Sequence, residues 1–89
     1  MKISRTDAFK RDFQKLPDRI KRRTEKALRM LVTNPHHPSL RVKKVKGELI
    51  KGFDNVFEAR ITRDYRLFFL ISSDCYVLLR CGSHEEYLK

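Results

Sequence analysis

The sequence has little of what a membrane-spanning or secreted protein needs. It contains no Trp, three Gly and three Pro, and no apolar run approaches the roughly 18 residues that cross a bilayer. The first ten residues, MKISRTDAFK, lack the apolar stretch of a secretion signal. We therefore expect a cytoplasmic protein with no membrane association.

Cysteine and histidine are too few and too poorly spaced for disulfide or metal chemistry. Cys75 and Cys81 fall in one predicted strand, about 20 Å apart at roughly 3.3 Å per residue, so they cannot bridge each other. We expect both to be buried, reduced thiols. His36 and His37 are adjacent rather than at ligand spacing. The sequence therefore predicts no metal and no small-molecule cofactor.

Positive charge is abundant. Lys and Arg number 21 against 11 Asp and Glu, which gives a net charge of +10 on 89 residues. Such a charge favours a polyanion, an anionic membrane or an acidic protein as partner, and composition alone does not choose among them. Hydrophobic residues make up 40% of the chain. This content and the short length predict one folded domain over residues 1–89.

The first third of the chain predicts a strand followed by a helical hairpin. Residues 2–6 can form a strand, and the side-chain oxygen of Thr6 or Asp7 can cap the helix that follows. Phe9, Phe13 and Leu16 are spaced by four and three, which predicts a helix with one apolar face. We expect this helix to end at Pro17. A second helix, apolar on one side and basic on the other, then continues to Asn34.

Four strands are predicted after the hairpin. Residues 34–40 are predicted to form a loop because of their prolines. Residues 41–47 are a short, basic segment that can form the first of these strands. Residues 56–62, 65–72 and 75–81 have the composition of successive strands. The order β-α-α-β-β-β-β predicts an α+β fold in which an N-terminal strand and a helical hairpin pack on an antiparallel four-stranded core sheet.

Alternation assigns the faces of the last three strands. Their odd positions are apolar or aromatic: Phe57, Ala59, Ile61, Tyr65, Leu67, Phe69, Ile71, Cys75, Val77, Leu79 and Cys81. We expect these residues to face the helices. A three-residue turn in the second hairpin would then place Arg66 directly opposite Arg80. The first hairpin would place Thr62 opposite Arg66 and Arg60 opposite Phe68.

The other face of the predicted sheet collects charged residues. It holds Glu58, Arg60, Arg66 and Arg80, and His84 follows the last strand. Like charges directly opposite each other destabilise a sheet by up to about 1 kcal/mol. Two facing arginines therefore suggest a bound anion, although pairing with nearby carboxylates on a solvated face is an alternative.

Four segments resemble the RelE/ParE superfamily of toxins from toxin–antitoxin systems. They are the basic stretch KVKG at 44–47, FEARIT at 57–62, DYRLFF at 64–69 and LLRCGSHEEYL at 78–88. The resemblance covers essentially the whole chain. It implies a toxin held inactive by an antitoxin. RelE-like members cleave mRNA in the ribosomal A site without metal, whereas ParE-like members act on DNA gyrase.

The resemblance implies a role for each charged residue in RNA cleavage. Arg66 matches the arginine that holds the scissile phosphate, and Arg80 is predicted beside it. His84 would act as acid or base because its side chain titrates nearest neutrality. Glu58 is either a general base or a partner of a neighbouring arginine. Tyr87 would stack on a base or assist proton transfer, or else pack as a tail aromatic.

The basic residues before and within the core strands would contact RNA phosphates. These are Arg41, Lys43, Lys44, Lys46 and Arg60, and they would supply affinity that weakens with salt and little sequence choice. Charges on an edge strand also discourage aggregation, which is the structural alternative.

The leading hypothesis is a ribosome-dependent mRNA endoribonuclease toxin, with the ribosome, mRNA and a cognate acidic antitoxin as partners. We expect the antitoxin to place a helix across the groove between the two helices. Glu58 stands where some active relatives carry lysine, and the tail is acidic. These departures make a non-catalytic binding module with this fold an alternative. A ParE-like gyrase inhibitor is a further alternative, although a histidine and paired arginines fit phosphate chemistry better. A plain RNA-binding domain fits less well, because aromatic pairs for base stacking are absent.

Overall fold

Thr6 joins the first strand to the first helix. The computed structural model describes the backbone of residues 1–87 and the side chains of residues 1–85. Strand β1 (Lys2–Arg5) and helix α1 (Asp7–Gln14) meet at Thr6. Its Oγ1 accepts the backbone N–H of Phe9 at 3.1 Å, and its hydroxyl donates to a strand carbonyl at 2.8 Å. The predicted helix cap is therefore confirmed.

Helix α2 (Asp18–Thr33) follows directly on Pro17 and ends before Asn34, as predicted. Its buried stripe consists of Ile20, Thr24, Ala27, Leu28 and Leu31. The four apolar residues of this stripe pack with Phe9 and Leu16 in the main core. The hairpin thus covers one face of the sheet and leaves the basic side of α2 in solvent.

The segment after α2 is more irregular than the sequence predicts. A 3₁₀ turn (Pro38–Leu40) interrupts the predicted loop, and Leu40 is 1% exposed. Of the basic stretch, only Lys43–Lys44 forms a strand, β2, at the edge of the sheet. Leu40 therefore anchors this segment in the core and leaves the neighbouring basic side chains exposed.

Three longer strands complete the sheet. They are β3 (Phe57–Arg60), β4 (Tyr65–Ser72) and β5 (Cys75–Ser83), and helix α3 (His84–Tyr87) follows. The strand order is β1-β5-β4-β3-β2. Strand β1 runs parallel to β5, and the other neighbours are antiparallel. The predicted α+β class is confirmed, with β1 as a fifth strand.

The predicted pairing within both hairpins is wrong. In the first hairpin Arg60 lies opposite Arg66, instead of Phe68. In the second hairpin Arg66 lies opposite Gly82, instead of Arg80. The second turn has two residues rather than three, because Ser72 pairs with Cys75 and Ser73 adopts a positive φ of 55°.

A β-bulge explains why the predicted faces fail in β5. Phe68 lies opposite Arg80 and Phe69 lies opposite Leu78, so Leu79 is an additional residue. A bulge shifts the alternation of side chains beyond it. The apolar odd positions of β3 and the first half of β4 do face the helices. In β5, however, Leu78 and Cys81 join that core, whereas Leu79 does not.

The face of the sheet away from the helices carries a second, smaller apolar cluster. Val45, Val56, Phe68 and Leu79 form its buried centre, with Leu49, Ile50, Leu70 and Val77 around them. The segment between β2 and β3 supplies half of these residues and so covers this face. The predicted charged face is therefore confined to the ends of β3 and β4.

Two expectations about composition can be compared with the structure. Both cysteines are free thiols, but only Cys81 is buried and Cys75 is partly exposed. Within the described residues, no helix has the length and apolar character required to cross a membrane.

Candidate functional site

Arg60 and Arg66 form the centre of the candidate site. They lie directly opposite each other on β3 and β4. Their strand neighbours Ala59 and Leu67 face the helices, so both arginines point to the opposite face. Two facing cations repel, and an anion bound between them would remove that repulsion.

Arg66 is held in a fixed orientation by the turn that precedes it. Its Nη1 donates to the carbonyl oxygens of Thr62, Arg63 and Tyr65 at 2.8, 2.9 and 3.1 Å. Its Nε and Nη2 make no hydrogen bond to the described residues. One edge of the guanidinium is therefore anchored, and the other remains available for a two-point contact with a phosphate.

Glu58 places a buried carboxylate behind the two arginines. Its side chain is 5% exposed, and Oε1 lies 3.3 Å from Nζ of Lys43, which is opposite it on β2. Its Oε2 is buried and has no hydrogen-bond partner in the described part of the chain. A buried, half-satisfied carboxylate is costly in free energy, so the nearby positive charges are what stabilise it.

The electrostatics of the site are visible at Arg66. Partial burial lowers the pKa of Arg66 from its ordinary value, and the positive charges of Arg60 and Arg41 lower it further. The carboxylates of Glu58 and Asp64 act in the opposite direction and raise this pKa. All four residues therefore lie within electrostatic range of Arg66. The guanidinium of Arg66 remains charged at neutral pH.

His84 lies beside Arg66 at the end of β5. Its backbone N–H donates to the carbonyl oxygen of Asp64 at 2.6 Å. Arg66, His84, Asp64 and Glu85 line a shared depression of about 600 Å³, with Arg63, Tyr65 and Ser83 completing it. The structure thus brings the predicted histidine and Arg66 to one open depression.

Arg80 is engaged elsewhere. Its Nε and Nη2 donate to the two carboxylate oxygens of Asp12 on α1, at 2.6 and 3.0 Å. The same carboxylate accepts the backbone N–H of Cys81 at 3.1 Å. This fork ties α1 to the stretch of β5 that extends beyond β1. A catalytic role for Arg80 stays a prediction, and the structure gives the residue a definite bonding role.

Sequence reasoning missed Asp12, although a signal was present. Phe9, Phe13 and Leu16 mark the apolar side of α1, and Asp12 occupies the same side at a spacing of three from Phe9. A carboxylate on a buried helix face needs a cation or a set of donors. That requirement could have identified Arg80 as its partner.

The predicted RNA-binding residues are dispersed. Arg41 and Arg60 are near Arg66, whereas Lys43 pairs with Glu58. Lys44 and Lys46 are exposed on or beside the edge strand. The side chain of Tyr87 lies outside the described residues, so its predicted role is not addressed by the structure.

The arrangement suits phosphate chemistry without a metal ligand set. Within the described residues, no three His, Cys, Asp or Glu side chains come together in a way that could hold a metal ion. Two guanidinium groups can hold a phosphate and stabilise charge that develops on it. A neighbouring imidazole can move a proton. These are the elements that cleavage of an RNA strand by its own 2′-hydroxyl requires.

Solved structures with this architecture belong to bacterial and archaeal toxins. A YoeB/ParE toxin from Agrobacterium tumefaciens is 19% identical, with 94% of this chain and 99% of that chain covered and a TM-score of 0.75. YafQ from Escherichia coli BL21(DE3) is 14% identical, with 98% and 97% covered and a TM-score of 0.76. RelE in the RelE–RelB complex from Pyrococcus horikoshii is 20% identical, with 92% of each chain covered and a TM-score of 0.71. The fold is therefore that of the RelE/ParE toxin superfamily.

The sequence itself matches one family within this class. The model that describes the ParE toxin of the type II toxin–antitoxin system parDE matches residues 3–87. The chain belongs to this family of type II toxins. No curated protein matches the sequence closely.

Proposed function

We propose that this protein is a toxin that cleaves mRNA on the ribosome, in the cytoplasm, and thereby inhibits translation. The observation that carries the proposal is the pair Arg60 and Arg66, which lie directly opposite each other, with His84 in the same depression as Arg66. One anchored guanidinium with a free edge suits the scissile phosphate. No step of the proposed reaction uses a metal.

Each residue of the site has a distinct task in this reaction. The ribose 2′-hydroxyl attacks the adjacent phosphorus, and the 5′-oxygen leaves, which gives a 2′,3′-cyclic phosphate and a 5′-hydroxyl. Arg66 and Arg60 stabilise the charge on phosphorus. His84 either takes the proton of the 2′-hydroxyl or gives a proton to the leaving 5′-oxygen, and solvent water makes the other transfer, so the protons balance. Glu58 is too buried to reach RNA in this conformation, so it positions Lys43 and Arg66 through its charge.

The test combines growth with mapping of RNA ends. Wild type, His84→Ala and Arg66→Lys are induced in cells that carry a reporter mRNA, and primer extension locates new 5′ ends. We expect growth arrest and cuts within the reading frame for wild type, and the loss of both in the two variants. Arg66→Lys keeps the charge but loses the planar fork. His36→Ala, which changes an exposed loop histidine, is the matched control and should behave as wild type.

Membership of the ParE toxin family favours inhibition of DNA gyrase as a second candidate function. A supercoiling assay with purified gyrase separates the two candidates. Gyrase inhibition together with growth arrest that survives His84→Ala would reject the nuclease. Unchanged supercoiling together with cuts in the reporter would reject the gyrase inhibitor. Loss of toxicity without either activity would indicate a binding module.

An acidic antitoxin encoded alongside this chain is the proposed inhibitory partner. A net charge of +10 favours an acidic segment that folds on binding. A groove of about 540 Å³ between β1, α1 and α2 has an apolar lining of Ile3, Phe13, Leu28 and Val32. Its charged lining consists of Arg5, Arg29 and one acidic residue, Glu25. Apolar side chains flanked by arginines suit an amphipathic acidic helix. Related toxins have been solved with partners, such as YafQ with DinJ.

A further inference from the structure

A second concave surface lies between α2 and the end of β3, next to the candidate site. We name it the basic cleft, and it has a volume of about 720 Å³. Its charged lining consists of Arg23, Lys26, Arg41, Arg60 and Arg63, and His37 also lines it. None of its lining residues is Asp or Glu. Within the described residues, none of the five cations forms an ion pair. Five like charges around one cavity repel, so a bound anion would stabilise the cleft.

The wall of the cleft is rigid where it presents its donors. Leu40 is 1% exposed and fixes the 3₁₀ turn against the core. The next residue, Arg41, has a φ of 45°, a left-handed conformation that is uncommon for a residue other than glycine. Such strained positions cluster at functional sites, because the surrounding structure must hold them. Here the conformation places Arg41 in the lining of the cleft.

His37 adds a further donor. Its Nδ1 accepts the backbone N–H of Ser39 at 3.1 Å and lies 2.7 Å from the hydroxyl oxygen of the same residue, which donates to Nδ1 in the tautomer with the proton on Nε2. A neutral imidazole that accepts at Nδ1 carries its proton on Nε2. His37 can therefore donate a hydrogen bond from Nε2 while it caps the 3₁₀ turn. The cleft thus combines guanidinium, ammonium and imidazole donors, and this set suits the oxygens of a phosphate.

We propose that the basic cleft binds a backbone phosphate of RNA other than the phosphate held at Arg66. The inference rests on the proposed function only in taking RNA as the ligand. Arg60 belongs both to the cleft and to the candidate site, so a strand held at Arg66 can continue into the cleft. This continuity favours RNA over an acidic protein. Among the described residues, none that lines the cleft is Phe, Tyr or Trp, so the cleft suits phosphates rather than bases.

The test measures binding without cleavage. A fluorescent 2′-O-methyl oligoribonucleotide cannot be cut, because the attacking hydroxyl is blocked, and its anisotropy gives Kd over a range of salt concentrations. The cleft variant is Arg23→Gln with Lys26→Gln. The control is Arg19→Gln with Arg22→Gln, which removes the same charge from exposed positions of the same helix outside the cleft. All four side chains are exposed, so the fold should persist, and circular dichroism verifies this.

We expect the cleft variant to bind more weakly and to lower the slope of log Kd against log salt by about 0.7 for each lost phosphate contact. The control should change the slope by less than half as much. A charge-conserving variant, Arg23→Lys with Lys26→Arg, should keep the Kd and the salt slope of the wild type. Equal effects in the cleft variant and the control would overturn the proposal.

Two further measurements identify the source of the phosphate. Vacant ribosomes carry ribosomal RNA and no mRNA, whereas the free oligonucleotide imitates mRNA. Weaker binding of the cleft variant to either one supports the proposal and names the source. Weaker binding to the purified antitoxin alone, with RNA affinity unchanged, would overturn it and assign the cleft to a protein. A failure of the nuclease proposal would appear as toxicity that survives His84→Ala, and it would leave this binding assay readable.

Discussion

At the scale of single residues, Asp12 determines how Arg80 is used. Its side chain is 12% exposed, and its carboxylate accepts hydrogen bonds from the Arg80 guanidinium and from the backbone N–H of Cys81. Alternation along the strands could assign Arg66 to the charged face, but it could not reveal that Arg80 turns towards a helix. That outcome depends on a bulge and on a helix packed at a strand edge, and both are tertiary features.

Asp12→Ala should therefore lower the free energy of unfolding substantially. The substitution removes three hydrogen bonds that the Arg80 guanidinium and the N–H of Cys81 donate to this carboxylate, and we expect a loss of about 2–3 kcal/mol. Urea denaturation measures it. Asp54→Ala removes an exposed carboxylate from a loop and should change stability by less than about 0.5 kcal/mol. Similar small changes in both variants would show that the fork contributes nothing to stability.

The pair Lys43 and Glu58 gives a second prediction at this scale. Lys43 is the one charged partner within 4 Å of the buried Glu58 among the described residues, and its removal leaves a buried carboxylate less compensated. Because the lysine side chain is 71% exposed, solvent moderates the effect, and Lys43→Ala should cost about 1 kcal/mol. Lys44→Ala, on the same strand, should cost less than about 0.5 kcal/mol. Chemical denaturation of the two variants side by side tests this, and a larger effect from Lys44→Ala would contradict it.

At the scale of elements, the sequence predicts the existence and type of the strands and helices better than their pairing. The N-cap of α1 at Thr6 and the end of α2 before Asn34 depend on local chemistry, so the sequence predicts both. The register depends on turn length and on Leu79, the additional residue of the bulge. Neither is encoded by alternation, because an apolar Leu79 fits both the main core and the second cluster. The second cluster itself depends on a segment that folds back over the sheet, which no local pattern shows.

The junction at Thr6 gives a prediction at the scale of elements. Its hydroxyl caps α1 and also bonds the carbonyls of Leu78 and Leu79 on β5, so it connects three elements. Thr6→Ala should lower the free energy of unfolding by about 1–2 kcal/mol. Thr33 lies in the last turn of α2, and its hydroxyl donates to a carbonyl of the same helix. Thr33→Ala should therefore change the free energy of unfolding by less than about 0.5 kcal/mol. Thermal and urea unfolding of both variants measure the difference, and equal losses would show that Thr6 acts as an ordinary helical hydroxyl.

At the scale of the whole molecule, charge and size act together. A chain of 89 residues buries a limited core, and a net charge of +10 adds self-repulsion to the folded state. Five cations line the basic cleft, and none of its described lining residues is Asp or Glu. A bound anion would lower the repulsion among these five cations. Binding of RNA or of an acidic antitoxin should stabilise the fold as well as occupy a site.

This linkage predicts how stability responds to the proposed antitoxin. A partner that binds only the folded state raises the free energy of unfolding by RT ln(1 + [L]/Kd), so each tenfold increase in free antitoxin above Kd should add about 1.4 kcal/mol. Denaturant unfolding of the toxin at a series of antitoxin concentrations measures this slope. The same series with Arg5→Gln and Arg29→Gln, which alter the groove between β1, α1 and α2, should need more antitoxin for equal stability. Exposed Arg19→Gln and Arg22→Gln form the matched control. An unchanged requirement in the groove variant would move the antitoxin to another surface, and stability independent of antitoxin concentration would reject such a partner.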